Sequence, residues 1–195
     1  MNTTIKYYNK NAKQFTEGTV DVDFSEIQER FLELLPKGGL ILDLGCGAGR
    51  DTKYFLKRGY LVEALDGSEE LCAVAKKNTG IDVKCMYFQD LNESEKYDGV
   101  WACASLLHLR HEEIVPVLKK VENALKPNGI FYISFKYGEF EGERNGRYFT
   151  DMTEARMAKL LEGVEGFTVL DEWITNDVRP GREDEKWLNL FLKKI

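Results

Sequence analysis

The residues best suited to chemistry stand where an apolar run ends. The run Leu40 to Leu44 contains Asp43 and passes directly into three glycines spaced every second residue, Gly45, Gly47 and Gly49. Glycine permits a tight turn at positive φ and places no Cβ between the backbone and a ligand. A helix predicted to follow this turn would direct its positive N-terminal end to the same place. The stretch therefore predicts a ligand loop at the end of a buried strand.

The spacing of these glycines bears on the ligand. A dinucleotide fingerprint reads G-x-G-x-x-G, whereas this chain has G-x-G-x-G, with Arg50 where the fingerprint needs its last glycine. The pattern therefore weakens a dehydrogenase interpretation. Taken alone, the motif is equally compatible with a plain strand-to-helix turn, so the rest of the chain must decide.

Composition limits the class of protein. The chain has 195 residues, of which 43% are hydrophobic, and this predicts one globular domain over residues 1–195. The absence of a long apolar run and of a hydrophobic leader predicts a cytoplasmic protein with no membrane partner. A net charge of −6 without a basic run argues against nucleic acid. The cysteines, Cys46, Cys72, Cys85 and Cys103, form no C-x-x-C pair, which predicts buried, reduced thiols and no metal site.

Alternating apolar strands and helices predict an α/β fold. Each strand–helix–strand unit implies a right-handed crossover and therefore a parallel sheet, doubly wound in the Rossmann manner with helices on both faces. Two further apolar runs near the C-terminus are joined directly and must be antiparallel neighbours. The strands are expected at residues 40–44, 60–65, 81–88, 99–104, 130–135, 167–175 and 187–194.

Five stretches, in this order, resemble the motifs of class I S-adenosylmethionine (SAM)-dependent methyltransferases. They are Leu42–Gly49, Asp66–Ser68, Phe88–Leu91, Tyr97–Ala102 and Leu125–Gly129, the last departing by one residue from the common L-K-P-G-G. The family fold is a seven-stranded, mostly parallel sheet with the last strand antiparallel, and this agrees with the terminal hairpin predicted above. The resemblance implies methyl transfer, with SAM as cofactor and S-adenosyl-L-homocysteine (SAH) as product.

Three later segments, residues 135–138, 144–151 and 177–182, resemble a bacterial subgroup of tellurite-resistance-like methyltransferases that act on small molecules. Fold does not determine substrate, so this part of the resemblance is analogy. It implies a small-molecule acceptor. The arginines of these segments suggest that the acceptor is anionic or carbonyl-bearing, because the planar guanidinium suits oxyanions.

The resemblance also implies a set of cofactor contacts. Asp43 and the glycine turn would hold the methionyl part of SAM, Asp66 its ribose and Asp90 its adenine amino group. Ala104, followed by Ser105, would border the reactive methyl. A capping or turn role for Asp66 and Asp90 is the alternative. The complete set is Tyr8, Asp43, Gly45, Cys46, Gly47, Gly49, Arg50, Asp66, Gly67, Ser68, Phe88, Gln89, Asp90, Leu91 and Ala104.

Catalytic residues are harder to assign. Methyl transfer from a sulfonium is an in-line displacement with a neutral leaving group, so a base is needed only when the acceptor must lose a proton. His108 is the candidate base, with a structural bond to a loop carbonyl as its alternative. Tyr137, Arg144 and Arg147 lie on the segment 136–151, which is predicted to be a polar loop on the substrate side. Salt bridges to neighbouring glutamates are their alternative role.

Two questions stay open from sequence. Residues 1–22, with Tyr7, Tyr8 and Phe15, predict either a partly helical arm that acts as a lid or a loosely ordered terminus.

The function is predicted to be methyl transfer to a small molecule by a monomer or homodimer. The alternative is a non-catalytic SAM-binding module that regulates or depends on a partner. An acceptor pocket beside the methyl favours the enzyme, whereas a blocked methyl and an apolar surface patch favour the module.

Overall fold

The computed structural model describes residues 3–195. The helices are α1 (Thr3–Glu17), α2 (Ser25–Glu33), α3 (Arg50–Lys57), α4 (Glu69–Thr79), α5 (His111–Ala124) and α6 (Glu154–Leu161). The strands are β1 (Leu40–Leu44), β2 (Leu61–Asp66), β3 (Val83–Cys85), β4 (Tyr97–Ala102), β5 (Leu125–Lys136), β6 (Glu141–Arg144), β7 (Arg147–Thr150), β8 (Phe167–Asn176) and β9 (Lys186–Lys194).

Seven strands form one sheet in the order β3-β2-β1-β4-β5-β9-β8. The neighbouring pairs from β3 to β5 are parallel, and β9 pairs antiparallel with both β5 and β8. This confirms the predicted seven-stranded sheet with an antiparallel last strand. Because β1 and β4 lie in the middle of the sheet, their carboxyl ends meet at one edge, where open parallel sheets bind ligands.

Side chains alternate between the two faces of the sheet, and helices cover both. On one face, Val100 and Phe131 pack with apolar residues of α5 and α6. On the other, Trp101 and Tyr132 stack with ring centroids 4.0 Å apart and pack against Phe31 of α2. The alternation follows from the two-residue period of a strand. The predicted helices on both faces are confirmed.

The third strand is shorter than predicted. Only Val83–Cys85 pair with β2, and the expected continuation to Phe88 is instead a 3-10 turn over Phe88–Asp90. Since β3 is an edge strand with one neighbour, little holds a longer ladder in place. The same position leaves Cys85 exposed, so the prediction that every thiol is buried is wrong for Cys85 and holds only in part for the half-buried Cys103.

The segment predicted as a polar loop contains a hairpin. Strands β6 and β7 pair antiparallel across the turn Asn145-Gly146, where φ is +51° and +77°. An Asn-Gly pair between alternating residues is a strong hairpin signal because a type I′ turn needs positive φ at both central positions. The sequence therefore held the information that the loop prediction missed.

Helix α1 lies against this hairpin. The Tyr148 backbone N–H donates to Thr4 Oγ1 at 2.9 Å, and Asn9 Oδ1 accepts from Ser68 Oγ at 2.6 Å at the start of α4. The described part of the N-terminal segment is thus helical and bridges β7 and α4. Within residues 3–195, none of the helices combines the length and the hydropathy of a membrane span.

Candidate functional site

The glycine turn is bound to the ends of two neighbouring strands. The backbone N–H groups of Gly45 and Cys46 both donate to the Leu65 carbonyl of β2, at 2.9 and 3.0 Å. Gly45 has φ +88°, and a Cβ there would stand 2.4 Å from the Cβ of Ser105. Ser105 is itself fixed, because its hydroxyl donates to the Leu44 carbonyl at 2.6 Å. Only glycine fits this position without rearrangement.

Asp66 closes the turn from the end of β2. One carboxylate oxygen accepts the Gly47 N–H and the other accepts the Ser68 N–H, both at 2.9 Å. Burial raises the pKa of Asp66, and the backbone hydrogen bonds from Ser68 and Gly47 oppose that rise. Asp66 therefore makes turn contacts, as the alternative interpretation expected, and it also lines the cavity beside the turn. Each carboxylate oxygen has a further lone pair for a ligand.

A cavity of about 650 Å³ opens beside the turn. The ends of β1, β2, β4, β5 and β9 form its floor, and residues of α1 and β7 contribute from the opposite side. Fourteen of the residues predicted from sequence line this cavity together. They are Tyr8, Gly45, Cys46, Gly47, Arg50, Asp66, Gly67, Phe88, Gln89, Asp90, Ala104, His108, Arg144 and Arg147.

The structure places Asp43 away from the cavity. Its side chain is buried under the turn, where the Thr52 hydroxyl of α3 donates to it at 2.5 Å. Burial, reinforced by the nearby Asp51 carboxylate, raises the pKa of Asp43. The Thr52 hydrogen bond ties Asp43 to α3, the helix that begins directly after the turn. A contact of Asp43 with the methionyl group of SAM stays a prediction.

Four other predicted residues also lie outside the cavity lining. A Cβ on Gly49 would stand 2.7 Å from Thr79 Cγ2, so this glycine permits close packing of the turn on α4. Ser68 caps α4 by accepting the Leu71 N–H, and Leu91 is a core residue. The Tyr137 hydroxyl donates to Glu154 at 3.0 Å. These four residues pack or form hydrogen bonds around the site and do not line its cavity.

Tyr8 and His108 meet inside the cavity. Tyr8 Oη lies 2.8 Å from His108 Nε2, and His108 Nδ1 lies 2.7 Å from the Tyr148 carbonyl oxygen. Burial, reinforced by the positive charge of Arg147, lowers the pKa of His108 to about 4, although the bond to Tyr148 opposes this. His108 is therefore neutral at pH 7 and makes the loop-carbonyl bond that the structural interpretation expected.

Most arginines around the cavity are paired with carboxylates. Arg50 donates to both oxygens of Asp51, at 2.8 and 2.9 Å, and Arg144 is paired with the buried Asp151. Arg179 is bound to Asp177 through two hydrogen bonds, and Arg182 lies 3.7 Å from Glu185. Arg144 thus forms a salt bridge, but with Asp151 and not with one of the neighbouring glutamates.

Arg147 differs from these arginines. Across residues 3–195 it forms no ion pair. Its buried Nε has no hydrogen-bond partner, a feature that it shares with Arg144. Its guanidinium carbon instead lies 4.7 Å from the ring centroid of Tyr7 and 5.0 Å from that of Phe149. A cation held by rings beside a cavity retains donors for an oxyanion.

Sequence reasoning missed residues on the far side of the cavity. Trp187 of β9 lines the cavity and donates from Nε1 to Asp177 at 3.1 Å. Phe15 of α1 lies over the glycine turn, since a Cβ on Gly47 would stand 3.1 Å from its ring. No local motif marks these residues, because they reach the site through the folding of distant segments. Among the described residues, no cluster of three or more metal-binding side chains occurs.

Comparisons with known proteins agree with this geometry. The sequence model of a family described as a methyltransferase domain matches residues 41–129. YqeM of Bacillus subtilis (strain 168), named as a methyltransferase, is 33% identical over 116 residues, covering 54% of this chain and 47% of that protein. An N-terminal Xaa-Pro-Lys N-methyltransferase of Xenopus laevis is 33% identical over 100 residues, covering 47% of this chain and 45% of that protein. The sequence likeness to methyltransferases therefore extends over about half of this chain.

A solved structure extends the fold likeness over nearly the whole chain. The 1,6-didemethyltoxoflavin-N1-methyltransferase of Burkholderia thailandensis, solved with its substrate and SAH, has a TM-score of 0.75 and 24% identity. The match covers 97% of this chain and 84% of that chain. This chain spans about half the length of the curated relatives described above. The structural match at 24% identity shows a shared fold, and the sequence matches are to proteins named as methyltransferases.

Proposed function

We propose that this chain transfers the methyl group of SAM to a small-molecule acceptor. One observation supports this most strongly: a single cavity joins the glycine turn and Asp66 to a second set of polar side chains, including Ser134, Arg147 and Asn189. Ligand pockets commonly measure ~300–1,000 Å³, so a cavity of about 650 Å³ that also holds the cofactor leaves space for a small acceptor.

The residues at the turn fit the cofactor. Gly45 and Gly47 bring backbone to the cavity without a Cβ, and the carboxylate of Asp66 has acceptor capacity for two ribose hydroxyls. Asp90, on the exposed 3-10 turn beside Phe88, is positioned to accept from an adenine amino group. When bound, SAM supplies an electrophilic methyl group on a positively charged sulfur.

We propose further that the acceptor carries an anionic group bound by Arg147. The sequence suggested several arginines for this role, but Arg144 and Arg179 are occupied by buried aspartates. Arg147 lines the cavity and forms no ion pair within residues 3–195, and an oxyanion is the ligand that best completes a guanidinium. The chain itself then positions the acceptor and, through α1 and β7, excludes water from the reacting atoms.

A screen of metabolite pools for SAH production tests this function. The full chain is incubated with SAM and fractionated small molecules, and Gly47→Val serves as the control in which the turn is obstructed. The proposal expects acceptor-dependent SAH with the wild type and none with the variant. SAH binding without turnover in any pool would support the regulatory module instead.

A peptide is the competing acceptor, because a Xenopus laevis relative is named for N-terminal Xaa-Pro-Lys methylation. A synthetic peptide beginning with Xaa-Pro-Lys is therefore included in the same assay. Methylation of this peptide and of no small molecule would overturn the small-molecule proposal. Membership of the tellurite-resistance-like subgroup stays a prediction, and it is tested by adding tellurite as a candidate acceptor.

A further inference from the structure

The arrangement of Tyr8 and His108 determines where their protons lie. His108 Nδ1 is 2.7 Å from the Tyr148 carbonyl oxygen, which can only accept, so Nδ1 carries the ring proton. A neutral imidazole has one N–H, and Nε2 must therefore be the acceptor. Since Tyr8 Oη lies 2.8 Å from Nε2, the Tyr8 hydroxyl donates its proton to His108.

This assignment leaves the Tyr8 oxygen as an acceptor toward the cavity. Its own proton is engaged by His108, and one lone pair faces the Arg147 Nη1 donor at 3.4 Å. Tyr8 lines the cavity, so its remaining acceptor capacity is available to a ligand. A tyrosine oxygen that donates its proton elsewhere and keeps acceptor capacity binds a ligand that donates an N–H or O–H.

We propose that Tyr8 contacts the nucleophilic atom of the acceptor and removes its proton, and that His108 is the positioning and proton-receiving residue behind it. The proposal rests on the function proposed above and assigns the acceptor to the class of N–H or O–H nucleophiles. It also moves Tyr8 from the predicted cofactor contacts to the acceptor side.

The proton and electron balance of the step is complete without another reactant. The nucleophile forms its bond to the methyl carbon, and the methyl–sulfur bond breaks with its electron pair remaining on sulfur. The proton of the nucleophile passes to Tyr8 Oη while the Tyr8 proton passes to His108 Nε2. His108 ends as an imidazolium that still donates from Nδ1 to the Tyr148 carbonyl.

Charge conservation inside the cavity favours this route. One positive charge is present on sulfur before the transfer and one on His108 after it, so the buried site does not gain net charge. The low pKa of His108 in the free protein, caused by burial and Arg147, keeps its Nε2 unprotonated and ready at pH 7. The other groups that act electrostatically on this pair are Asp66, Tyr7 and Arg179.

Nitrogen-15 NMR of the histidine side chains tests the pair without needing an acceptor. The chain has two histidines, His108 and His111, so His111→Gln assigns the signals and is also the matched control. At pH 7, with SAH added, His108 should show a protonated Nδ1 and an unprotonated, hydrogen-bonded Nε2. Tyr8→Phe should remove that hydrogen bond and leave Nδ1 unchanged. A protonated Nε2 or a charged ring would overturn the assignment.

Calorimetry and kinetics then separate the acceptor role from a cofactor role. Tyr8→Phe should bind SAH within ~2-fold of the wild type, whereas a loss comparable to that of Asp66→Ala would make Tyr8 a cofactor contact and overturn the proposal. With an acceptor from the metabolite screen, Tyr8→Phe should slow single-turnover methylation by ~100-fold or more, the usual contribution of a general base.

His108→Gln completes the test. Glutamine can accept from the Tyr8 hydroxyl but cannot take its proton, so the variant should keep the KM of the acceptor and lose kcat. A loss confined to KM would make His108 merely structural and overturn the relay. If no pool yields SAH, the proposed function fails while the NMR result still decides the Tyr8–His108 assignment.

Discussion

The proposed cofactor end of the cavity, at Asp66 and the glycine turn, and its proposed acceptor end, at Tyr8, His108 and Arg147, are built differently. At the cofactor end, Asp66 holds Gly47 across adjacent parallel strands, and the two residues are 19 positions apart. At the acceptor end, Tyr8 meets His108 from 100 positions away, and Thr4 meets Tyr148 from 144. The first end belongs to the sheet itself. The acceptor end is formed by contacts of α1 and the β6–β7 hairpin, which lie outside the main sheet.

This difference has an energetic consequence. The glycine turn follows β1, whose residues from Ile41 to Leu44 are buried, so it should open only with global unfolding. The acceptor end depends on polar contacts between peripheral elements, and such regions open at lower free energy. Variants at the two ends should therefore affect cofactor affinity, acceptor use and stability in different proportions.

The largest effect is expected at the cofactor end. Gly47→Val places a branched side chain in the cavity at φ +54°, and we expect SAH affinity to fall by at least ~100-fold, or ~2.7 kcal/mol. Gly59→Val is the control, because Gly59 has φ +85° but nothing within 4 Å of its Cβ position. Both variants carry backbone strain, and only the first should lose SAH in calorimetry. Equal SAH affinities of the two variants would show that the glycine turn does not take part in cofactor binding.

The second effect is a pH dependence of the acceptor end. The folded pKa of His108 is about 4, below the ordinary value of ~6.5, so between these values the unfolded chain binds more protons. Stability should therefore fall as the pH is lowered from ~6.5 to ~4, by up to about 3 kcal/mol. Urea unfolding at several pH values measures this, and His108→Gln should remove the slope that His111→Gln retains. An unchanged slope in His108→Gln would show that other groups cause it.

Asp66 should have an intermediate effect. Replacing it by Ala removes the acceptor of the ribose hydroxyls and should cost ~1.5–3 kcal/mol of SAH binding, the range for a hydrogen bond to a charged group. Asp66→Asn keeps one carbonyl acceptor and should lose less. The dissociation constants come from calorimetry at pH 7. If SAH binds Asp66→Ala as tightly as the wild type, Asp66 has only its turn role.

The smallest and most selective effects are expected for the two arginines of the hairpin. Arg144→Ala leaves the buried Asp151 without its cation and should cost ~1–3 kcal/mol of stability. Arg147→Ala breaks no ion pair, so it should raise the KM of an anionic acceptor with little change in SAH affinity or stability. Steady-state kinetics and urea unfolding of both variants measure the contrast. An unchanged KM in Arg147→Ala would contradict the anionic-acceptor proposal.

The sequence predicted the cofactor end better than the acceptor end, for a physical reason. Asp66 and the glycines carry local signals, because strand ends and turns impose residue types within a short stretch of chain. The parallel direction of the central strands follows from the alternation of strands and helices in the same way. Trp187 and the pairing of Tyr8 with His108 carry no local signal, since they depend on how distant segments pack.

Two local secondary-structure predictions were wrong for other reasons. The Asn145-Gly146 turn was a readable hairpin signal, whereas the 3-10 turn at Phe88–Asp90 depends on the weak pairing of an edge strand. For Asp43, the motif position predicts a ligand contact, and the structure adds a hydrogen bond from Thr52 that the motif did not predict. A motif thus identified the right region while leaving the role of one residue to the packing.

A crystal structure of the full chain with SAH tests the central claim most directly. The account predicts SAH in the described cavity, with its ribose hydroxyls on Asp66, its sulfur near Ala104, and space beside the sulfur reaching Tyr8 and Arg147. SAH bound elsewhere, or with its sulfur directed away from Tyr8 and Arg147, would contradict the division of the cavity into a cofactor end and an acceptor end.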